Sequence, residues 1–174
     1  TKRTVKGSPA FVPRSAWGAG RYPPRAGAAY GRVDMAFVHH TETSNDYSAS
    51  ESAGIVLAID DYHRNTLGWN DIGYNFLVDR YGTIFEGRSG GVDRAVIGAQ
   101  AQGYNSFSTG ISCIGSFGEH SLPKAAMEAV ARLIAWKLPL HGAPVTGGLT
   151  VVSGGGSLNA HPYGAKVRMQ RVAG

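Results

Sequence analysis

The chain has a single cysteine, Cys113, in 174 residues. A lone thiol excludes an internal disulfide and any metal knuckle built on a CxxC pair. It does not fix the compartment, because a domain of this length buries enough core to do without disulfides. No apolar run reaches the ~20 residues needed to cross a bilayer, so no membrane partner is expected. The opening TKRTVKGSPAF is basic but has no apolar segment behind it. It is therefore not a signal peptide, and the chain is expected to be either cytosolic or a mature or trimmed form. Also absent are GxxxxGK[ST], a GxGxxG opening a helix, HExxH and a nucleophile elbow, which removes the chemistries those motifs carry. Basic runs are missing too. The net charge is +5, which favours polyanions such as nucleic acid or an anionic cell wall. The cations are scattered, however, among them Arg14, Arg32, Arg64, Arg80 and Arg94. Without a basic stripe interleaved with aromatics, nucleic acid is not an expected partner.

What is present describes one folded domain. Hydrophobic content of 43% against 17% charged residues rules out a disordered chain. Residues 1–32 are rich in Gly, Pro, Ala and Arg and read as an N-terminal arm lying over the domain, pinned by Trp17. Residues 33–174 read as the domain proper. VDMAFVHH is continuously apolar up to its two histidines, as expected of a central strand covered on both faces. SASESAGIVLAIDDYHRN predicts an amphipathic helix, with Ser48 and Glu51 as a capping box and Ile55, Ile59, Tyr62 and His63 on one face. YNFLV and TIFEG predict a hairpin closed by DRYG, and GISCIGSF predicts another strand, with Cys113 inside it as a core residue. LPKAAMEAVARLIAWKL predicts a second helix, capped near Ser121 and ended by Pro139, with Met127, Val130, Ile134 and Leu138 inward. The tail predicts β-structure and a Gly/Ser loop. Together these make an α/β (mixed α+β) single domain with a central mixed β-sheet flanked by helices.

Chemistry concentrates in two places. Successive strand residues face opposite sides, so His39 joins Met35 and Phe37 while His40 joins Ala36 and Val38. One metal on one face can normally use only one of them. A hydrogen-bonded strand-end histidine is the plain reading, and the ligand reading stays open because ligands gather at strand C-termini. The second place is GWNDIGYNF. Asp71 and Asn75 fit a capped loop, while a Tyr74 facing His39 can donate to a metal-bound water or an oxyanion. The loops EGRSGG and IGAQAQGYNSFSTGIS carry Arg88, Gln100, Tyr104 and Asn105 and can line a groove for a polar polymer. His63 reads as a core histidine; His120, His141 and His161 read as surface.

RSAWGA, FVHHTETSNDYS, YHRNTLGWNDIGYNFLVDRYGTIFEGRSGG, IGAQAQGYNSFSTGISCIGSF and a following LP helix occur here in a familiar order. In this the chain resembles peptidoglycan recognition proteins, which group with the type 2 N-acetylmuramoyl-L-alanine amidases and T7-lysozyme-like amidases. It is most similar to secreted actinobacterial members. The resemblance implies a central mixed sheet with a Zn2+ site in a groove, and hydrolysis of the amide between N-acetylmuramic acid and L-alanine of peptidoglycan. It maps the first zinc-ligating histidine onto His39 and the catalytic tyrosine onto Tyr74. It suggests Trp69, Arg88, Gln100 and Asn105 for glycan and stem peptide, with Gln100 standing where the recognition proteins often carry histidine. The second histidine and the cysteine ligand belong to a C-terminal GHRD…TxCPG segment that residues 1–174 do not contain. Cys113 and His161 match other positions of the pattern. The expectation is thus a C-terminally incomplete domain with an incomplete zinc site, whose partners are muropeptides and a missing C-terminal fragment, located outside the cell at the wall. The alternative is a non-catalytic peptidoglycan-binding module.

Overall fold

The run MAFVHH forms the strand it predicts, β2, spanning Met35–His40. The computed structural model describes Thr1–Gly174. The remaining strands are β1 (Phe11–Val12), β3 (Phe76–Val78), β4 (Ile84–Glu86), β5 (Ser108–Cys113), β6 (Gly148–Val152), β7 (Lys166–Gln170) and β8 (Val172–Ala173). Six of them make one sheet in the order β1-β4-β3-β5-β2-β8, while β6 and β7 pair separately as an antiparallel hairpin. The β3–β4 pair is antiparallel and every other neighbour in the main sheet is parallel. Asp79 closes the β3–β4 turn by accepting the Tyr81 and Thr83 N–H groups, with Gly82 at φ +79°. The mixed α/β domain is as the sequence suggests. Residues 11–12 of the arm add an edge strand, and Trp17 is buried with its indole N–H on the Glu86 carbonyl at 2.7 Å.

Three helices accompany the sheet: α1 (Arg14–Trp17), α2 (Ser52–Asp61) and α3 (Lys124–Leu140). A wider π-type turn, Tyr62–Thr66, continues α2. Only half of the Ser48–Glu51 box forms: the Glu51 carboxylate accepts both the backbone N–H and the hydroxyl of Ser48. The buried stripe of α2 is Ser52, Val56 and Asp60, rotated from the expected one. Ile55, Ile59 and Tyr62 instead line a cavity beside the helix. In α3, Val130, Ile134 and Leu138 face inward as predicted, but Met127 points out and is 55% exposed. Small Ala126 and Ala129 take the inner positions, which lets the helix lie close to the sheet. Pro139 sits inside the last turn, and the helix ends one residue later.

Alternation along the strands sorts the core into two faces. On one, Ala36, Phe76, Val78, Ile111 and Cys113 pack against Ala129, Leu133 and Leu138 of α3. Burial pushes the Cys113 thiol up to about 11, as befits a core residue. On the other face there are two separate clusters. Leu77, Phe85 and Ile72 pack with Trp17 and Val56 under α1 and α2. Met35, Phe37 and Tyr104 pack with Val151 and Met169 under the β6–β7 hairpin.

Candidate functional site

His39 ends the β2 face that carries Met35 and Phe37. Its ring lies 6.0 Å from that of Phe37 and 6.1 Å from that of Tyr74. Burial, then the neighbouring His40, hold its pKa below the usual imidazole value, so the ring is neutral at pH 7. Its Nε2 is buried and has no hydrogen-bond partner. His40, by contrast, is engaged within the protein. Its Nδ1 accepts the Phe117 N–H at 3.0 Å, and its Nε2 lies 3.8 Å from the Glu42 carboxylate.

Tyr74 is held by a loop clamped at several points. Asp71 is fully buried; its Oδ1 accepts from Ile72 N–H and from Arg14 Nη2 at 3.0 Å, and its Oδ2 from Ser89 N–H. Asn75 donates to the Val96 carbonyl and accepts the Gly110 N–H. Both therefore act as the capped-loop residues they resemble. His63 Nδ1 accepts the Gly73 N–H at 3.0 Å, and its ring lies 4.6 Å from Trp69 and 5.6 Å from Tyr74. Burial, then the charge of Arg88, lower its pKa to about 4, so it is the neutral core histidine expected. Burial also raises the Tyr74 phenol above its ordinary value, with the Ser112 hydroxyl opposing and Glu42 adding to the rise. Tyr74 is thus a protonated donor at neutral pH.

A cavity of about 650 Å³ gathers four of the expected residues: His39, Trp69, Gln100 and Asn105. Tyr74 lines a neighbouring cavity of about 550 Å³ with His63, Thr41, Glu51 and Ile59. The His39–Tyr74 pair links the two. Arg88 is not brought to either. Its backbone N–H donates to the Tyr74 carbonyl at 2.8 Å, and its side chain lines a small internal cavity with Lys137, where Nη1 is buried without a partner. Asn105 shapes the rim, its Oδ1 accepting the N–H groups of Gln100 and Ala101. Gln100 Nε2 donates to Ser108 Oγ at 3.1 Å, and its Oε1 is buried without a partner.

Sequence reasoning missed two contributors. Arg14, present in RSAWGA but given no role there, braces the loop through Asp71 and the Gly87 carbonyl from 57 and 73 residues away. Leu158 to His161 form the far rim of the larger cavity. His161, read as surface, is exposed but stands in that rim. His141, also read as surface, is half buried with an unpartnered Nε2.

No three His, Cys, Asp or Glu side chains come together as a metal-binding group. His39, neutral and with an orphaned Nε2, suits one donor position. A catalytic zinc needs about three protein donors, so residues 1–174 do not by themselves make that site.

The family model described as N-acetylmuramoyl-L-alanine amidase matches residues 29–167. The chain belongs to this family. It is 36% identical over 127 residues to peptidoglycan-recognition protein SC2 of Drosophila simulans, covering 72% of this chain and 65% of that protein. Among solved structures, Drosophila PGRP-LB matches with a TM-score of 0.67 and 32% identity over 76% of each chain. Peptidoglycan recognition protein-LE, solved in complex with tracheal cytotoxin, a monomeric diaminopimelic acid-type peptidoglycan, matches with a TM-score of 0.65 and 32% identity. That match covers 72% of this chain and 71% of the other. The chain is thus similar to these recognition proteins in both sequence and mixed-sheet fold.

Proposed function

We propose that the groove between α2 and the β6–β7 hairpin binds peptidoglycan, and that the domain serves hydrolysis of the amide joining N-acetylmuramic acid to L-alanine. The observation that carries this reading is the His39–Tyr74 pair at the junction of two cavities in an amidase-family fold. A similar fold, that of peptidoglycan recognition protein-LE, was solved with a muropeptide. Trp69, Gln100 and Asn105 line the groove for the ligand. Tyr74, kept protonated by burial, is placed to donate a hydrogen bond to an oxyanion as it develops. His39, neutral and with its Nε2 unpartnered, is proposed as one Zn2+ donor. Such a substrate places the protein outside the cell, at the wall, where the net charge of +5 suits anionic polymer.

The test has two stages. Calorimetric titration of residues 1–174 with a soluble muropeptide should give saturable binding, and its absence sinks the groove assignment. In a chain that carries the further metal donors, Tyr74→Phe should slow stem-peptide release by about a hundredfold, the scale for loss of one oxyanion donor. An unchanged rate would remove Tyr74 from the chemistry. Binding with no cleavage by that longer chain would instead mark a recognition module.

A further inference from the structure

The β6–β7 hairpin does more than cover the sheet, because the loop joining its strands is bolted to the segment 99–105. The bolt is Asn159. Its Nδ2 donates to the Gln102 carbonyl at 2.8 Å and to Ser153 Oγ at 3.0 Å. Its Oδ1 accepts the His161 N–H at 2.9 Å and the Tyr104 hydroxyl at 3.3 Å. Beside it the Gly154 N–H reaches the Gly103 carbonyl at 2.9 Å. Gly103 is needed twice: its φ is +88°, and a Cβ there would collide with Asn159 Nδ2. Both polar atoms of Asn159 are therefore engaged within the protein, which makes it a positioning residue.

What the bolt positions is Gln102. The Leu158 N–H donates to Gln102 Oε1 at 2.6 Å. A primary amide whose oxygen is held in this way keeps its NH2 as the group free for a ligand. Asn105 is in the same state, its oxygen held by two backbone N–H groups. Both line the larger cavity with Trp69, whose indole can only donate. No Asp, Glu, Lys or Arg side chain lines that cavity. Beside the acceptor Gln100 Oε1, the free amide N–H groups of Gln102 and Asn105 complement carbonyl oxygens.

We propose that the β6–β7 hairpin is a selectivity wall of the groove. Latched by Asn159, it sets the Gln102 amide, beside that of Asn105, to donate to peptide carbonyl oxygens of the bound stem. The proposal rests on the groove being the muropeptide site. The test is titration of residues 1–174 with a soluble muramyl tripeptide, with amide hydrogen exchange followed over residues 153–165. Gln102→Glu keeps an acceptor for Leu158 N–H but replaces the donor by a carboxylate oxygen, and should lower affinity about tenfold or more. Asn159→Ala should speed exchange in the loop and lower affinity about tenfold, while the remaining sheet keeps its protection. Unchanged affinity in Gln102→Glu, or in Asn159→Ala with a demonstrably loosened loop, overturns the wall and leaves the groove assignment standing. A wild-type chain that binds no muropeptide overturns the groove assignment and the wall with it.

Discussion

The two faces of the main sheet are made by the same strands, yet one is sealed and the other is open. A single 17-residue helix, α3, closes the first with small and branched side chains at 126, 129, 133 and 138. The second has two shorter covers, α2 and the β6–β7 hairpin, each with its own apolar cluster, and the groove lies between them. Polar groups differ accordingly. On the α3 face the buried Lys137 donates to the Val92 and Arg94 carbonyls at 2.6 and 2.8 Å. In the groove, His39 Nε2 and Gln100 Oε1 have no partner in the protein. Unpaired buried polar atoms also occur away from the groove, at Arg88 Nη1 and His141 Nε2, so the two in the groove matter because they line a cavity of ligand size. One continuous cover makes a core, whereas a divided cover makes a site.

The sharpest way to break that contrast is a cavity in the sealed face. Leu133→Ala, at a position 1% exposed, should cost about 3 kcal/mol in denaturant unfolding. Muropeptide affinity of the folded fraction should stay within about twofold. A parallel loss of affinity would show that the faces are not independent.

Next comes acid titration of the groove side. Asp60 is buried on the inner stripe of α2, and burial, then Asp71, raise its carboxyl to about 6, with Arg14 and Arg64 opposing. Between about pH 4 and 6 the folded chain therefore holds more protons on this group than the unfolded one, and stability from it falls as pH rises. His63, lowered to about 4, acts in the opposite sense over nearly the same window: its contribution is lost as pH falls. The two largely cancel. Asp60→Asn should expose the His63 effect as a loss on the order of 1–3 kcal/mol from pH 6.5 to 4 relative to wild type. Melting curves measured across that range check it, and parallel pH profiles for the two proteins would refute the raised Asp60.

The α3 face should answer on the alkaline side. Burial lowers Lys137 to about 8, with Asp93 opposing. The unfolded chain thus holds the extra proton between about pH 8 and 10.5, and stability from this group rises with pH there. Lys137→Met should remove that rise, on the order of 3 kcal/mol, with no change below pH 7 in its slope. The smallest effect belongs to His39→Ala. Its Nε2 makes no hydrogen bond, so the melting temperature should shift by the equivalent of less than about 1 kcal/mol. A larger loss would make His39 a structural residue.

Much of the fold was legible because it is local. Two-residue alternation assigns Ala36 and Val38 to one side and Phe37 and His39 to the other. The DRYG turn closes its own hairpin, and Pro139 falls within one residue of a helix end. Where periodicity failed, it failed for want of an angular reference. A 3.6-residue pattern in α3 allows either Met127 or Ala126 on the inner stripe, and only the approach of the sheet selects alanine. Of the residues singled out by their motifs, His39, Trp69, Gln100 and Asn105 line one cavity. Arg88 belonged to a motif of the same stretch, but its side chain turns beneath the strands.

The sequence by itself determined that the two strand-end histidines separate, because a pleated strand sends neighbours to opposite faces whatever surrounds it. It also determined the family, through motifs carried in order along the chain. Only the tertiary structure decided that His39 meets Tyr74, that Arg14 braces Asp71 across 57 residues, and that Asn159 fastens a glycine-rich loop to Tyr104 across 55. Contacts at such separations leave no local periodicity. They exist because burying the three apolar clusters brings those polar groups within hydrogen-bond reach.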